Sequence, residues 1–145
     1  MSARENIAKN IVQQLENMSQ PAPGKVSREF FDVTKLAITQ FPAILVVTSN
    51  EARTDISTDL REAVIEYQLR SYVRGTQIDT LRNELVENIE ETLEVSRDRD
   101  ITQSITNIHN VTTQITNIEV IDRELPLGEV VITCQVTYRY TKGTL

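Results

Sequence analysis

From Val130 to Tyr140 the chain alternates without a break. Val130, Ile132, Cys134, Val136, Tyr138 and Tyr140 fall on one face, and Val131, Thr133, Gln135, Thr137 and Arg139 on the other. A repeat of two is the period of an extended strand. Leu60 to Arg74 alternates in the same way, with Ala63, Ile65, Tyr67, Leu69 and Val73 against Glu62, Glu66, Gln68, Arg70 and Arg74. One apolar and one polar face make a half-buried antiparallel strand. Both stretches are long, since strands usually run about five or six residues.

The remaining segments fit around these two strands. Ile7, Ala8, Ile11, Val12, Leu15 and Met18 recur at helical spacing, so Ala3–Met18 is predicted as an amphipathic helix, with Ser2 and Glu5 in a capping-box pattern. Pro21, Pro23 and Gly24 then break it. Val26–Val33 is expected to be a first strand and Phe41–Ser49 a second, the latter with apolar groups on both faces. Asn50–Ser57 is polar and reads as a loop or hairpin tip. Ile78, Leu81, Leu85, Ile89 and Leu93 form an apolar stripe on a second helix, Gln77 to about Val95, with Arg97 and Arg99 near its C-terminal end. Ile101–Thr113 shows no clear period, although Ile-Thr-Asn-Ile occurs at Ile105 and again at Ile115. Ile115–Ile121 reads as a strand and Glu124–Gly128 as a turn. With no sustained βαβ alternation, the order implies an α+β fold: a mainly antiparallel sheet of about four or five strands with two principal helices packed on it. At 145 residues, 1–145 is expected to be a single domain, because chains split only beyond about 250.

Charge narrows the function classes. Fifteen Lys and Arg against 21 Asp and Glu give a net charge of −6, which argues against broad binding to a phosphate backbone. The excess is local. Residues 51–100 carry thirteen acids and seven bases, and the rest of the chain is close to balance. Much of it lies on the second helix, where Asp79, Glu84, Glu87, Glu90, Glu91 and Glu94 fall. A solvated helix face is the plain use of such a set; a surface that repels a polyanion or meets a basic partner is the specific one. No apolar run is long enough to span a membrane, and no basic region followed by an apolar stretch opens the chain, so neither a membrane segment nor a signal peptide is expected.

Catalytic patterns are sparse. One histidine, His109, and one cysteine, Cys134, cannot assemble a four-ligand structural zinc site. They could pair as base and nucleophile, but Cys134 lies in the apolar face of a strand, where a free cysteine usually acts as a small hydrophobe. Gly24, Gly75, Gly128 and Gly143 are scattered and form no phosphate-cradling loop. No enzyme, cofactor or metal is expected. An interaction protein remains, because long strands with open edges invite pairing, and head-to-tail pairing closes into rings. Arg70 and Arg74, on the outward face, could meet acids such as Glu87 or Glu91 of a neighbour, or pair across strands within the sheet.

Several stretches resemble the phage tail terminator family. They are Phe41-Pro42-Ala43-Ile44-Leu45-Val46-Val47 before a polar loop, Leu69-Arg70-Ser71-Tyr72-Val73-Arg74-Gly75 leading into an acidic helix, Leu125-Pro126-Leu127-Gly128, and Val136-Thr137-Tyr138-Arg139-Tyr140. The opening Arg4-Glu5-Asn6-Ile7-Ala8-Lys9-Asn10-Ile11 is similar as well. The resemblance implies a virion structural protein of the tail or neck, assembled in the host bacterial cytoplasm. It implies a hexameric ring that ends the tail tube and joins it to the head-tail connector or stopper, with DNA passing through the lumen unbound. On that basis Arg70, Arg74 and Arg139 are candidates for the subunit or tail-tube interface. Glu84, Glu87, Glu91 and Glu94 are candidates for an acidic surface facing the channel. Another neck component, such as a head-completion or stopper protein, is an alternative, and a small cytoplasmic α+β ligand-binding or regulatory module is another of a different class.

Overall fold

A computed structural model describes residues 3–19, 22–96 and 108–143. Ser2, Arg97, Arg99 and residues 101–107 of the patternless stretch lie outside the described residues. The elements run α1 (Ala3–Glu16), β1 (Lys25–Ser27), β2 (Ala43–Asp55), β3 (Leu60–Arg74), α2 (Ile78–Glu91), β4 (Ile108–Ile121) and β5 (Leu127–Thr141). The five strands form one sheet in the order β1-β2-β3-β5-β4, antiparallel except where β1 pairs with β2. With two helices on it, this is an α+β fold.

The predicted alternation sets the layers. Ala63, Ile65, Tyr67, Leu69 and Val73 of β3, and the even-numbered residues 130–140 of β5, face the helices and are buried. Ile7, Ile11 and Leu15 of α1 and Leu85 and Ile89 of α2 cover them, all at 0% exposure. Truncating one of these isoleucines or leucines to alanine costs about 3 kcal/mol in a core of this kind. A π-helical turn, Thr92–Ser96, continues α2 and buries Leu93.

The opposite face of the sheet is open except at one end. The expected first strand Val26–Val33 is only Lys25–Ser27. Beyond it the Ser27 hydroxyl accepts from Glu29 N–H and donates to Glu29 C=O, at 3.0 and 2.9 Å, and turns the chain. Asp32 then caps a 3₁₀ turn, Val33–Lys35, by accepting from Thr34 N–H at 3.0 Å. A second such turn, Ile38–Gln40, leads back to β2. This crossover lays Val33, Phe31, Leu36 and Phe41 over Ala43 and Tyr72 and makes a second, smaller core. It explains why residues 43–46 of β2 are buried on both faces.

The expected loop Asn50–Ser57 is also corrected. β2 continues as strand through Asp55 and stays paired with β3 as far as Arg61, with one register shift between Thr48 and Asn50. Its residues 48–55 are exposed or half-buried because Glu51 and Arg53 stand where an apolar face would, opposite the buried Ile65 and Ala63, so no apolar face betrays it. β4 begins at Ile108, well before the expected Ile115, and carries two register shifts, between His109 and Thr112 and between Ile115 and Asn117. Each shift flips the in-out phase, which hides the strand from a period-two search.

Candidate interaction surfaces

The candidate arginines divide between the two ends of the sheet. Arg70 and Arg74 are exposed and bracket Tyr72 on the face opposite the helices. Arg123, from the β4–β5 turn, lies over the Tyr72 ring at 5.3 Å and donates to buried Glu129 at 2.8 Å. Burial pushes the Tyr72 hydroxyl above its usual range, and the nearby Glu129 carboxylate adds to the effect. Arg139 sits eight positions along β3 from Arg70, opposite Glu62, about 27 Å away at strand rise. It donates to the Glu62 carboxylate at 3.1 Å. Arg123 was not singled out from sequence, since nothing near it in the chain indicates the ring it covers.

The candidate acids lie on the other face. Glu84, Glu87 and Glu91 are exposed on α2. With Gln14 and Asn17 of α1's end they line an open polar groove of about 450 Å³. Glu94 differs. It is half-buried on the π-helical turn and accepts a hydrogen bond from Ile115 N–H at 2.6 Å. The acids and the arginines Arg70 and Arg74 therefore occupy opposite faces of one sheet.

His109 and Cys134 are not brought together. His109 is opposite Arg139 in the ladder, and Cys134 is opposite Ile115. Five positions along β5 separate the two registers, about 17 Å. Cys134 is fully buried. Among the described residues, no group of three or more His, Cys, Asp or Glu side chains is placed to hold a metal ion. No described helix is long and apolar enough to cross a membrane.

A third surface combines apolar exposure with an open edge. β4 ends the sheet, and α2 leaves its helix-side face partly uncovered. Ile118 is 42% exposed and Val120 57%. With Val86 and Arg82 of α2 they line a groove of about 290 Å³. At the other edge of the sheet, just past β1, Phe30 is 78% exposed.

No family model matches this sequence, and no curated protein does. The fold does have a counterpart. A chain from the virion of a native gene transfer agent particle superposes with a TM-score of 0.55. The match covers 96% of this chain and 99% of the other, at 8% sequence identity. The two chains share a fold. At that identity the agreement lies in the path of the backbone rather than in particular side chains.

Proposed function

We propose that this chain is a virion structural protein, and specifically a phage tail terminator. It forms a ring, six subunits by the family's pattern, at the head-proximal end of the tail tube. There it stops tube polymerisation and offers a surface to the head-tail connector or stopper. The observation that carries this proposal is the likeness in fold, over nearly the whole of both chains, to a chain of a gene transfer agent virion. Two features support it. The sheet has an edge at β4 and another at the three-residue β1, on opposite sides, as head-to-tail closure into a ring requires. The exposed acids Glu84, Glu87 and Glu91 suit a lumen through which DNA slides without sticking. Arg70 and Arg74, on the open face, are then the cations that meet the tube, while Arg139 is held by Glu62 within its own subunit.

The test is mass by light scattering across protein and salt concentration, with negative-stain images, followed by binding to purified tail tubes. An open-centred ring that caps tubes and stops their growth is the expected result. A ring that ignores tubes but binds the connector assigns the chain to another neck component. A stable dimer that binds neither overturns the virion role.

A further inference from the structure

The groove between α2 and β4 holds an unexplained donor. The Arg82 side chain is only 14% exposed, and its Nε–H is buried with no hydrogen-bond partner among the described residues. Its one ion pair among the described residues is a long 3.7 Å approach to Asp79, itself 85% exposed. Buried guanidinium donors are normally satisfied, and leaving one open costs free energy. Around it stand Val86, half-buried, and Ile118 and Val120, both exposed, neighbours that together form one apolar patch. Asn83 and the exposed Glu87 also line the groove, so an incoming carboxylate has to come to Arg82, beside an apolar knob that covers Val86, Ile118 and Val120.

The chain carries such a pair at its other edge. Phe30 is 78% exposed and directly follows Glu29, also exposed. The other exposed apolar side chains fit less well. Ile38 has no charged neighbour in sequence, and Ile56 lies at the β2–β3 hairpin tip. Leu125 follows Glu124, but both lie in the β4–β5 turn, on the groove's own side of the sheet, where a contact would bring two β4 edges together rather than opposite edges.

We propose that Phe30 of one copy seats in the α2–β4 groove of the next, against Val86, Ile118 and Val120, with Glu29 accepting from Arg82. Knob and hollow lie at opposite edges of one sheet, so the contact is heterologous. Such a contact closes into a ring when the rotation per subunit divides a full turn. The proposal rests on the ring assembly advanced above and names its contact.

Cysteine crosslinking tests it, because Cys134 is fully buried and leaves engineered surface thiols as the reactive ones. A Phe30→Cys chain mixed with a Val120→Cys chain is expected to give one disulfide heterodimer and nothing larger. A chain carrying both substitutions is expected to give a ladder that ends at a closed ring. Adding Glu29→Gln to the Phe30→Cys chain is expected to lower the heterodimer yield several-fold. A Val120→Cys homodimer as the main product would overturn the contact in favour of a symmetric one. Wild-type rings by light scattering with no heterodimer would overturn this contact and leave the ring standing. Neither ring nor heterodimer would overturn both.

Discussion

The Glu94 carboxylate accepts a hydrogen bond from the backbone N–H of Ile115 at 2.6 Å, at the point where β4 slips register between Ile115 and Asn117. An acid that the resemblance makes a candidate for a channel-facing surface thus ties the end of α2 to the edge strand. Glu94→Ala leaves that half-buried N–H unpaired, and a charge-assisted bond of this kind contributes about 2 kcal/mol. Glu87→Ala, on the exposed face, is expected to change stability by less than about 0.5 kcal/mol. Urea denaturation of the two variants checks the contrast, and equal effects would show that Glu94 is another solvated acid.

Glu129 is 5% exposed, and its carboxylate is held by Arg123. Arg123→Ala strands a buried charge and loses the cover over Tyr72. The expected cost is about 2 kcal/mol, since hydrogen bonds to charged groups contribute roughly 1.5–3. Replacing Glu129 with leucine in the Arg123→Ala background is expected to recover much of the loss, because a buried pair can be exchanged for an apolar one with little penalty. A double-mutant cycle on thermal stability measures both.

Tyr138 is fully buried with its hydroxyl unpartnered among the described residues, and burial pushes that hydroxyl up to about 12 from 10.0, with the Glu51 carboxylate adding to the effect. Folding therefore favours the neutral form. Below pH 10 both folded and unfolded chains keep the proton, and the contribution is intact. As pH rises from 10 toward 12 the unfolded chain ionises first, and that contribution is lost. Melting temperature is expected to fall over this window, and less steeply in Tyr138→Phe. At neutral pH the same variant is expected to be neutral or up to about 1 kcal/mol more stable, as it removes an unsatisfied buried group.

A methyl group at Gly24 would sit 2.4 Å from both the Gln40 carbonyl carbon and the Thr39 oxygen. Both are backbone atoms of the 3₁₀ crossover, and a side-chain rotation cannot clear them. Gly24 N–H also donates to Pro42 C=O at 2.8 Å, which fastens β1 to the start of β2. Gly24→Ala is expected to cost about 1–3 kcal/mol, the usual range for overpacking. Increased protease cleavage within residues 25–42 would localise the damage.

Cys134 is expected to react with a thiol reagent only as fast as the protein unfolds. Rapid labelling under native conditions would contradict its burial.

Where one face is wet and the other dry, the sequence declares the strand. β3 spans Leu60–Arg74, as its alternation predicts, and β5 exceeds its expected range only at the ends. The helical stripes on α1 and α2 were legible for the same reason. Three things were not. Residues 50–55 of β2 are wet on both faces, so they look like loop although their backbone is fully paired. β4 loses its phase at two register shifts. The crossover after β1 is apolar because it builds a second core over Tyr72, and apolar residues near a strand resemble more strand. Of the candidate surfaces, exposure of Arg70, Arg74, Glu84, Glu87 and Glu91 followed from their positions. The engagements of Glu94 with Ile115 and Arg139 with Glu62 depend on long-range register, and no local pattern encodes that.

β3 and β5 pair from Leu60 and Thr141 to Arg74 and Leu127 with no shift, a ladder about 50 Å long at strand rise. At the hairpin tip Asp55 holds both Arg61, at 2.9 Å, and Lys142, at 3.3 Å. β3 and β5 thus run from the core to the tip as one stiffened beam with no register shift, while β2 beside them slips once, between Thr48 and Asn50. Bending it would break several backbone hydrogen bonds at once. A load on the tip is therefore not absorbed where it lands: it tilts the sheet as a lever, and the helices and the far edge move with it.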